Sequence, residues 1–280
     1  MAFPVVHRFV ASLLPVNAYL VELPDEVIVI DSTLGLSDGR ALRARVDATG
    51  KPLGAVIVTH AHPDHYGGLT ALVEGLDQVP IFAVQGVIDA IRRDDPAKEE
   101  ILRPMFGDEW ARRRTFPNRG VRDGERLAFG SAAWRVIDLG PGESPHDSLW
   151  LMESSGAARA FVGDLVYSRM HGFLADGFYE PWLANIARAR REVSPETTFY
   201  PGHGEPGAAR ELLDWQEGYI RTFVDAVRST AGRHTLTDQA VSELVTATMK
   251  AYLPSEDLLF LMQLSIGPLR AAFEKAATVG

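Results

Sequence analysis

The sequence predicts an α/β protein, with a strand-rich α/β body to about residue 208 and a helical extension after it. Two observations carry this reading. Short runs rich in β-branched and aromatic residues, punctuated by Pro, Gly and Asp, recur through the first two hundred positions. From Ala209 onward the apolar residues switch to helical spacing. The expected organisation is one domain over 1–208, with 86–120 as a helical insertion, and an extension over 209–280 packed on the same domain.

The elements follow in order. Val5 to Val10, Asn17 to Glu22 and Val27 to Ile30 read as strands separated by Pro15, Pro24 and Asp25. Leu42 and Val46, four apart, suggest a short helix, and the continuous run Ala55 to Thr59 suits a buried strand. Gly67 to Gly75 begins a helix and Pro80 to Val84 is a strand. The 86–120 stretch, with seven arginines among acids, aromatics and prolines, reads as an irregular helical insertion: a salt-bridged surface, or a wall over a site. Strand patterns return at Arg126 to Phe129, Trp134 to Leu139, Leu149 to Glu153, Ala160 to Val162 and Thr197 to Tyr200, with a helix at Ala184 to Arg191. In the extension, Leu212, Leu213, Tyr219, Ile220, Phe223, Val224 and Val227 form one apolar stripe. Val241, Leu244, Val245 and Tyr252 form a second, capped by Thr237-Asp238, and Leu258 to Phe273 a third, interrupted at Gly267-Pro268.

Composition excludes several chemistries. With 46% hydrophobic and 23% charged residues the chain is an ordinary globular sequence, and 28 basic against 37 acidic residues give a net charge of −9. That balance argues against a nucleic-acid partner. There is no cysteine, so disulfides, thiolate nucleophiles and thiolate metal sites are ruled out. No stretch approaches 18 apolar residues and no signal-peptide core is visible, so the expected location is cytoplasmic, with no membrane partner. A homodimer is the expected assembly on general grounds.

Eight histidines are present, and three fall within the six residues of His60-Ala61-His62-Pro63-Asp64-His65. The segment follows a buried strand, where α/β proteins place their chemistry. Three imidazoles and a carboxylate so close together are poor core material and good metal ligands. His60 and His62, two apart, converge on one ion if the backbone is extended, and Asp64 and His65, after the turn at Pro63, face a second. Asp164 and His203 each end a later apolar strand. His7 and His234 lie outside any motif and are assigned to structure or surface.

These residues, in this order, resemble the metallo-β-lactamase superfamily over residues 17 to 205. The resemblance implies an αββα sandwich with a C-terminal helical extension and one or two metal ions at the edge between the sheets. It implies one ion held by His60 and His62, a second by Asp64, His65 and His203, Asp164 bridging both, and Asp31 supporting the site from behind. The family's Pro-Gly-His-Thr-type turn reads Pro141-Gly142-Glu143-Ser144-Pro145-His146 here. Either Glu143 replaces the imidazole or a remodelled loop brings His146 to the first ion, and His146 is the favoured of the two. Two Zn2+ ions are expected, with Mn2+ or Fe2+ the alternatives that a carboxylate ligand would favour.

The resulting expectation is a binuclear hydrolase that uses a metal-bridging hydroxide, with Asp64 catalytic, against the carbonyl of a small ester, lactone, β-lactam or thioester. Lactonases of the family carry a tyrosine at the position of Tyr167, which would hydrogen-bond the substrate carbonyl. His171 would donate a proton to the leaving group or, with Arg169, hold an anionic substrate. Trp182, Phe173, Phe178 and Tyr179 are the aromatics expected to face the pocket; Trp215, Tyr219 and Phe223 are expected in the core. Basic residues to grip a glutathione moiety are not evident in the extension. The competing readings are an iron-dependent oxidoreductase on the same fold (persulfide dioxygenase-like or di-iron) and a small-molecule phosphodiesterase.

Overall fold

A computed structural model describes residues 4–153, 158–233 and 235–279 of the chain. His234 lies outside the described residues. Two six-stranded sheets stack face to face, with helices on both outer sides. The first sheet contains β1 (Val5–Val10), β2 (Asn17–Glu22), β3 (Val27–Ile30), β4 (Leu53–Ile57), β5 (Ile81–Val84) and β6 (Arg119–Val121), in that spatial order. β1 to β3 run antiparallel and β3 to β6 parallel. The second holds β7 (Arg126–Phe129), β8 (Ala132–Gly140), β9 (Asp147–Glu153), β10 (Arg159–Ser168), β11 (Thr198–Gly204) and β12 (Gly207–Ala208), again in chain order. This is the αββα sandwich expected from the resemblance.

Strand alternation explains how one sheet serves two cores. In β8, Trp134 and Val136 point into the layer between the sheets, whereas Ile137 and Leu139 belong to the core beneath the outer helices. Trp150 and Met152 of β9 and Phe161 of β10 also point inward, while Leu149, Leu151, Ala160 and Val162 point outward. Aromatic rings fill the inner layer, with Phe161 stacked on Trp134 at 5.4 Å and on Tyr200 at 4.9 Å.

Helices α1 (Leu36–Asp47), α2 (Pro63–Tyr66), α3 (Leu69–Leu72) and α4 (Gln85–Phe106) interleave with the first sheet's strands. The first part of the 86–120 region is one regular 22-residue helix (Gln85–Phe106), and a single 3-10 turn at Gly107–Glu109 followed by irregular backbone to 118 leads into β6. Pro96 and Pro104 do not break the helix, because each sits on the exposed side, where the carbonyl losing its partner meets water. The region is both surface and wall. Arg114 forks onto Asp95 and reaches Glu99, while Lys98, Ile101, Leu102, Met105 and Phe106 line a cleft.

The second sheet is covered by α5 (Tyr179–Glu192), α6 (Ala209–Arg228), α7 (Asp238–Tyr252) and α8 (Leu259–Val279). All seven residues of the predicted α6 stripe are buried. The α7 stripe is narrower than expected: Val241, Val245 and Met249 are buried at i, i+4, i+8, whereas Leu244 and Tyr252 are 44% and 36% exposed. Thr237 caps α7 by accepting the Ala240 N–H at 3.2 Å. α8 runs through Pro268 without the expected interruption, since Pro268 and Leu264 both face outward. Among the described residues, no helix is long and apolar enough to cross a membrane.

Candidate metal centre

The centre assembles where both sheets end on the same side. β4 delivers the chain to His60, which forms an isolated antiparallel bridge with Asp147 at the start of β9 and so ties the sheets together. His62 is extended (φ −90, ψ 145) and Pro63 opens α2, and this extended-then-helical path brings the His65 ring to 4.0 Å and the His62 ring to 5.4 Å from that of His60. From the second sheet, β10 and β11 run past the positions where the sequence pattern suggested they stop, to Ser168 and Gly204. Asp164 and His203 thus lie within strands, with Gly163 (φ 50) bending β10 and the register slipping on either side of it. Asn17 Nδ2 and Tyr19 Oη donate to the Pro201 carbonyl at 2.9 and 2.6 Å, pinning β11 against the first sheet.

Three donor groups result: His60, His62 and Glu143; Asp64, His65 and His203; and His60, His65 and Asp164. Glu143 Oε2 lies 2.7 Å from His62 Nδ1 and 3.6 Å from His60 Nε2. Asp64 Oδ2 lies 3.3 Å from His203 Nε2 and 3.7 Å from His65 Nε2. Asp164 stands between the groups, at 3.9 Å from His60 Nε2, 3.5 Å from His65 Nε2 and 3.3 Å from His203 Nε2. His60 Nε2, His65 Nε2, His203 Nε2, Glu143 Oε2 and Asp164 Oδ1 are all buried without a hydrogen-bond partner. Such orphaned atoms cost folding free energy unless something meets them. Their convergence, with nitrogen and oxygen donors only, fits divalent cations of the zinc, manganese or iron class.

The turn after β8 decides between Glu143 and His146. Asp147 Oδ2 accepts the Glu143 N–H at 2.6 Å, and its Oδ1 accepts from the Ser144 N–H and hydroxyl at 3.1 and 2.6 Å. This cage turns Glu143 inward, where it is 1% exposed. His146 is carried outward, to a 2.7 Å contact with Asp138, and its ring packs so close to Gly86 that a Cβ there would fall 2.0 Å from its Cε1. The structure therefore brings Glu143, not the favoured His146, to the cluster.

Other groups orient the donors. Asp31, in a left-handed conformation (φ 60), accepts from His65 Nδ1 at 2.8 Å and from the Thr59 N–H and hydroxyl at 2.8 and 2.9 Å. His203 Nδ1 donates to the Pro15 carbonyl at 2.7 Å. Asp176 Oδ2 meets His62 Nε2 at 3.1 Å; nothing in the sequence marked this lone loop carboxylate, more than a hundred residues from its partner.

Electrostatics follow the crowding. Burial pushes the Glu143 carboxyl up to about 8, against the pull of His62, and Asp147 up to about 6. Burial also works to lower the imidazoles. His60 stays low, whereas the surrounding carboxylates override burial and hold His62 and His65 high and His203 at about 10. For Asp164 burial is overridden by His203 and His65, which hold the carboxyl well below its usual range. The carboxylates attract positive charge to this point, which a divalent ion supplies as well as protons do.

The two predicted catalytic helpers behave differently from expectation. Tyr167 lies parallel to the His203 ring at 4.9 Å, but its hydroxyl donates to Glu143 Oε1 at 2.8 Å. His171 is fully buried away from the cluster, between the Tyr219 hydroxyl at 3.0 Å and the Ser255 carbonyl at 3.1 Å. Arg169 faces Glu211 and the Trp215 ring at the surface. Of the loop aromatics, Phe173 lines the cleft and meets His62 edge-on at 5.4 Å, while Trp182 is in the core, donating to the Leu165 carbonyl. Tyr179 packs edge-on against Phe273. His7 pairs with Glu22 at the surface.

Comparison with known proteins agrees with the geometry. The family model described as "Metallo-beta-lactamase superfamily" matches residues 11–203. The uncharacterized protein YobT of Bacillus subtilis (strain 168) is 38% identical over 126 residues, covering 42% of this chain and 51% of that protein. A hydroxyacylglutathione hydrolase of Neisseria gonorrhoeae is 27% identical over 146 residues, 52% of this chain and 47% of that protein. The chain thus spans about half the length of the curated relatives it matches. Among solved structures, a beta-lactamase domain protein from Burkholderia ambifaria superposes with a TM-score of 0.73 at 20% identity, covering 100% of this chain and 88% of that one. A metallo-beta-lactamase family protein from Thermus thermophilus does so with a TM-score of 0.69 at 21% identity, covering 97% and 94%. At that identity these two structures speak for the fold.

Proposed function

The chain belongs to the metallo-beta-lactamase superfamily, and from that premise we propose that it is a binuclear metal-dependent hydrolase acting on the carbonyl of a small ester, lactone, β-lactam or thioester. The observation that carries the reading is the pair of donor sets, His60–His62–Glu143 and Asp64–His65–His203, with Asp164 between them. The name of the Neisseria relative favours the thioester within this group.

When bound, a pair of divalent ions would supply Lewis acidity, activating water and polarising the carbonyl. The protein's own residues do the rest. His62, Asp64 and Tyr167 all line the cleft, so the substrate carbonyl reaches the cluster from that side. Asp64, whose side chain is 14% exposed, is the open carboxylate of its set; with Oδ2 turned to His203 and His65 as a donor, its other oxygen would orient the attacking water and pass a proton toward the leaving group.

Zinc-, manganese- and iron-reconstituted enzyme, assayed on lactones, β-lactams, thioesters and phosphodiesters, tests this. Asp64→Ala and His203→Ala should each abolish hydrolysis and remove about one metal equivalent. Full activity in either variant overturns the two-ion assignment. One observation favours a second reading: His60, His62 and Glu143 form a two-histidine, one-carboxylate set, the ligand pattern of non-haem iron oxygenases. Stoichiometric iron with negligible hydrolysis would decide for that reading, and two zinc ions would decide against it.

A further inference from the structure

The cleft that reaches the cluster has a volume of about 380 Å³ and is walled by α4 and α8. Its outer walls carry Ile101, Met105, Phe260 and Leu264, which are 58%, 65%, 49% and 59% exposed. Four large apolar side chains left in water around one opening are not scattered surface residues; grouped exposure of this kind marks a place where something apolar binds. The cleft continues inward past Leu14, Leu34 and Phe173 to His62, Asp64 and Tyr167, so whatever fills it ends against the metal donors. Lys98 is the one Lys or Arg among its lining residues. A leaving group as highly charged as a glutathione tripeptide would find few partners here, and desolvating its carboxylates against these walls would be costly.

Resting on the hydrolase reading above, we propose that this cleft is an acyl-chain site and that the preferred substrate is an ester or thioester whose carbonyl carries an unbranched apolar chain. At ~30 Å³ for each water-sized group the cleft holds about a dozen such groups, so with two or three taken by the ester or thioester itself it suits chains of up to about ten carbons. In the reaction, the oxygen of water bonds to the acyl carbon as the C–O or C–S bond breaks, and one proton of that water goes to the departing oxygen or sulfur. No oxidant or reductant is required. The chain contributes binding that polar substrates lack, and the α4 and α8 side chains set the length that is accepted.

The experiment is an acyl-length series, acetyl to dodecanoyl, on one constant leaving group with the metal-reconstituted enzyme. The ratio kcat/KM is expected to rise about fourfold per methylene and to level off near octanoyl or decanoyl. The double variant Ile101→Asp/Leu264→Asp changes only exposed positions, so the fold tolerates it. It should flatten the series and weaken binding of a dansyl-labelled medium-chain fatty acid about tenfold or more. A flat or falling series in an enzyme that cleaves the acetyl compound overturns the acyl site and leaves the hydrolase reading intact. If metal-loaded enzyme cleaves no member, the hydrolase reading fails, and the fatty-acid probe then decides for the cleft: binding weakened by the double variant supports it, and no binding overturns it. Loss of binding to phosphatidylcholine vesicles in the double variant, with the acyl series unchanged, would make the patch a membrane contact and overturn the proposal.

Discussion

The Tyr167 hydroxyl donates to Glu143 Oε1 at 2.8 Å, leaving Glu143 Oε2 as the oxygen that faces His60 and His62. A phenol so engaged orients a metal donor before it can serve a substrate. Tyr167→Phe should therefore lower metal affinity at the His60–His62–Glu143 set about tenfold or more. Chelator competition measures this directly. If affinity is unchanged while kcat falls 10²-fold or more, the hydroxyl acts on the substrate instead.

Asp31 holds the other set from behind through His65 and Thr59. Asp31→Ala strands the buried Thr59 N–H and frees the His65 ring, and it places alanine at a φ of 60 that aspartate tolerates better. Metal-free protein should lose roughly 2–4 kcal/mol of stability by chemical denaturation. Metal affinity should fall about 10–100-fold. Asp31→Asn, which keeps the shape and an acceptor, should recover most of the stability but less of the affinity. A silent Asp31→Ala would remove this residue from the account.

What was legible in the sequence, and what was not, divides on physical grounds. His60 to His65 could be read because local backbone alone, an extended pair followed by a helical turn, sets where their side chains go. Asp164 and His203 followed from their place in order on later strands. The choice of Glu143 over His146 could not be read, because it turns on the Asp147 cage and on the close approach of Gly86 from a helix some sixty residues away. Asp176 was invisible for the same reason of distance. The long α4 was hidden by Pro96 and Pro104, whose cost depends on whether the freed carbonyl faces water. The inner and outer cores follow strand alternation, which puts Trp134 and Ile137 on opposite faces of β8, but which face meets the other sheet is set by the tertiary packing.

His171 links the loop before α8 to α6 through Tyr219 and Ser255. Burial lowers its pKa, so the folded state holds it neutral while the unfolded chain takes up a proton near pH ~6.5. Its contribution to stability is complete above that pH and is lost as pH falls toward and through the lowered folded value. His171→Ala should cost roughly 2–4 kcal/mol at pH 7.5. The gap in Tm between wild type and His171→Gln should narrow between pH 7.5 and pH 5. An equal gap at both pH values would show that the ring's charge state is irrelevant there.

Gly202 shows how little room the centre leaves. A Cβ at this position would lie 2.0 Å from Asp164 Oδ1 and 2.6 Å from His65 Cε1, so Gly202→Ala must displace the carboxylate shared by the donor sets, the His65 ring, or both. The backbone itself is untroubled, because β11 is hydrogen-bonded to β10 and pinned at Pro201 by Asn17 and Tyr19. The variant should therefore fold, with a metal-free circular dichroism spectrum like that of wild type, yet bind at least one metal equivalent less and lose hydrolysis by about 10²-fold or more. Gly267→Ala is the matched control. Its Cβ would meet nothing within 4 Å, and it lies inside α8, where alanine adds about 0.5–1 kcal/mol of helix stability. Full metal content in Gly202→Ala would mean that Asp164 can move without losing an ion, and its place between the two sets would have to be abandoned.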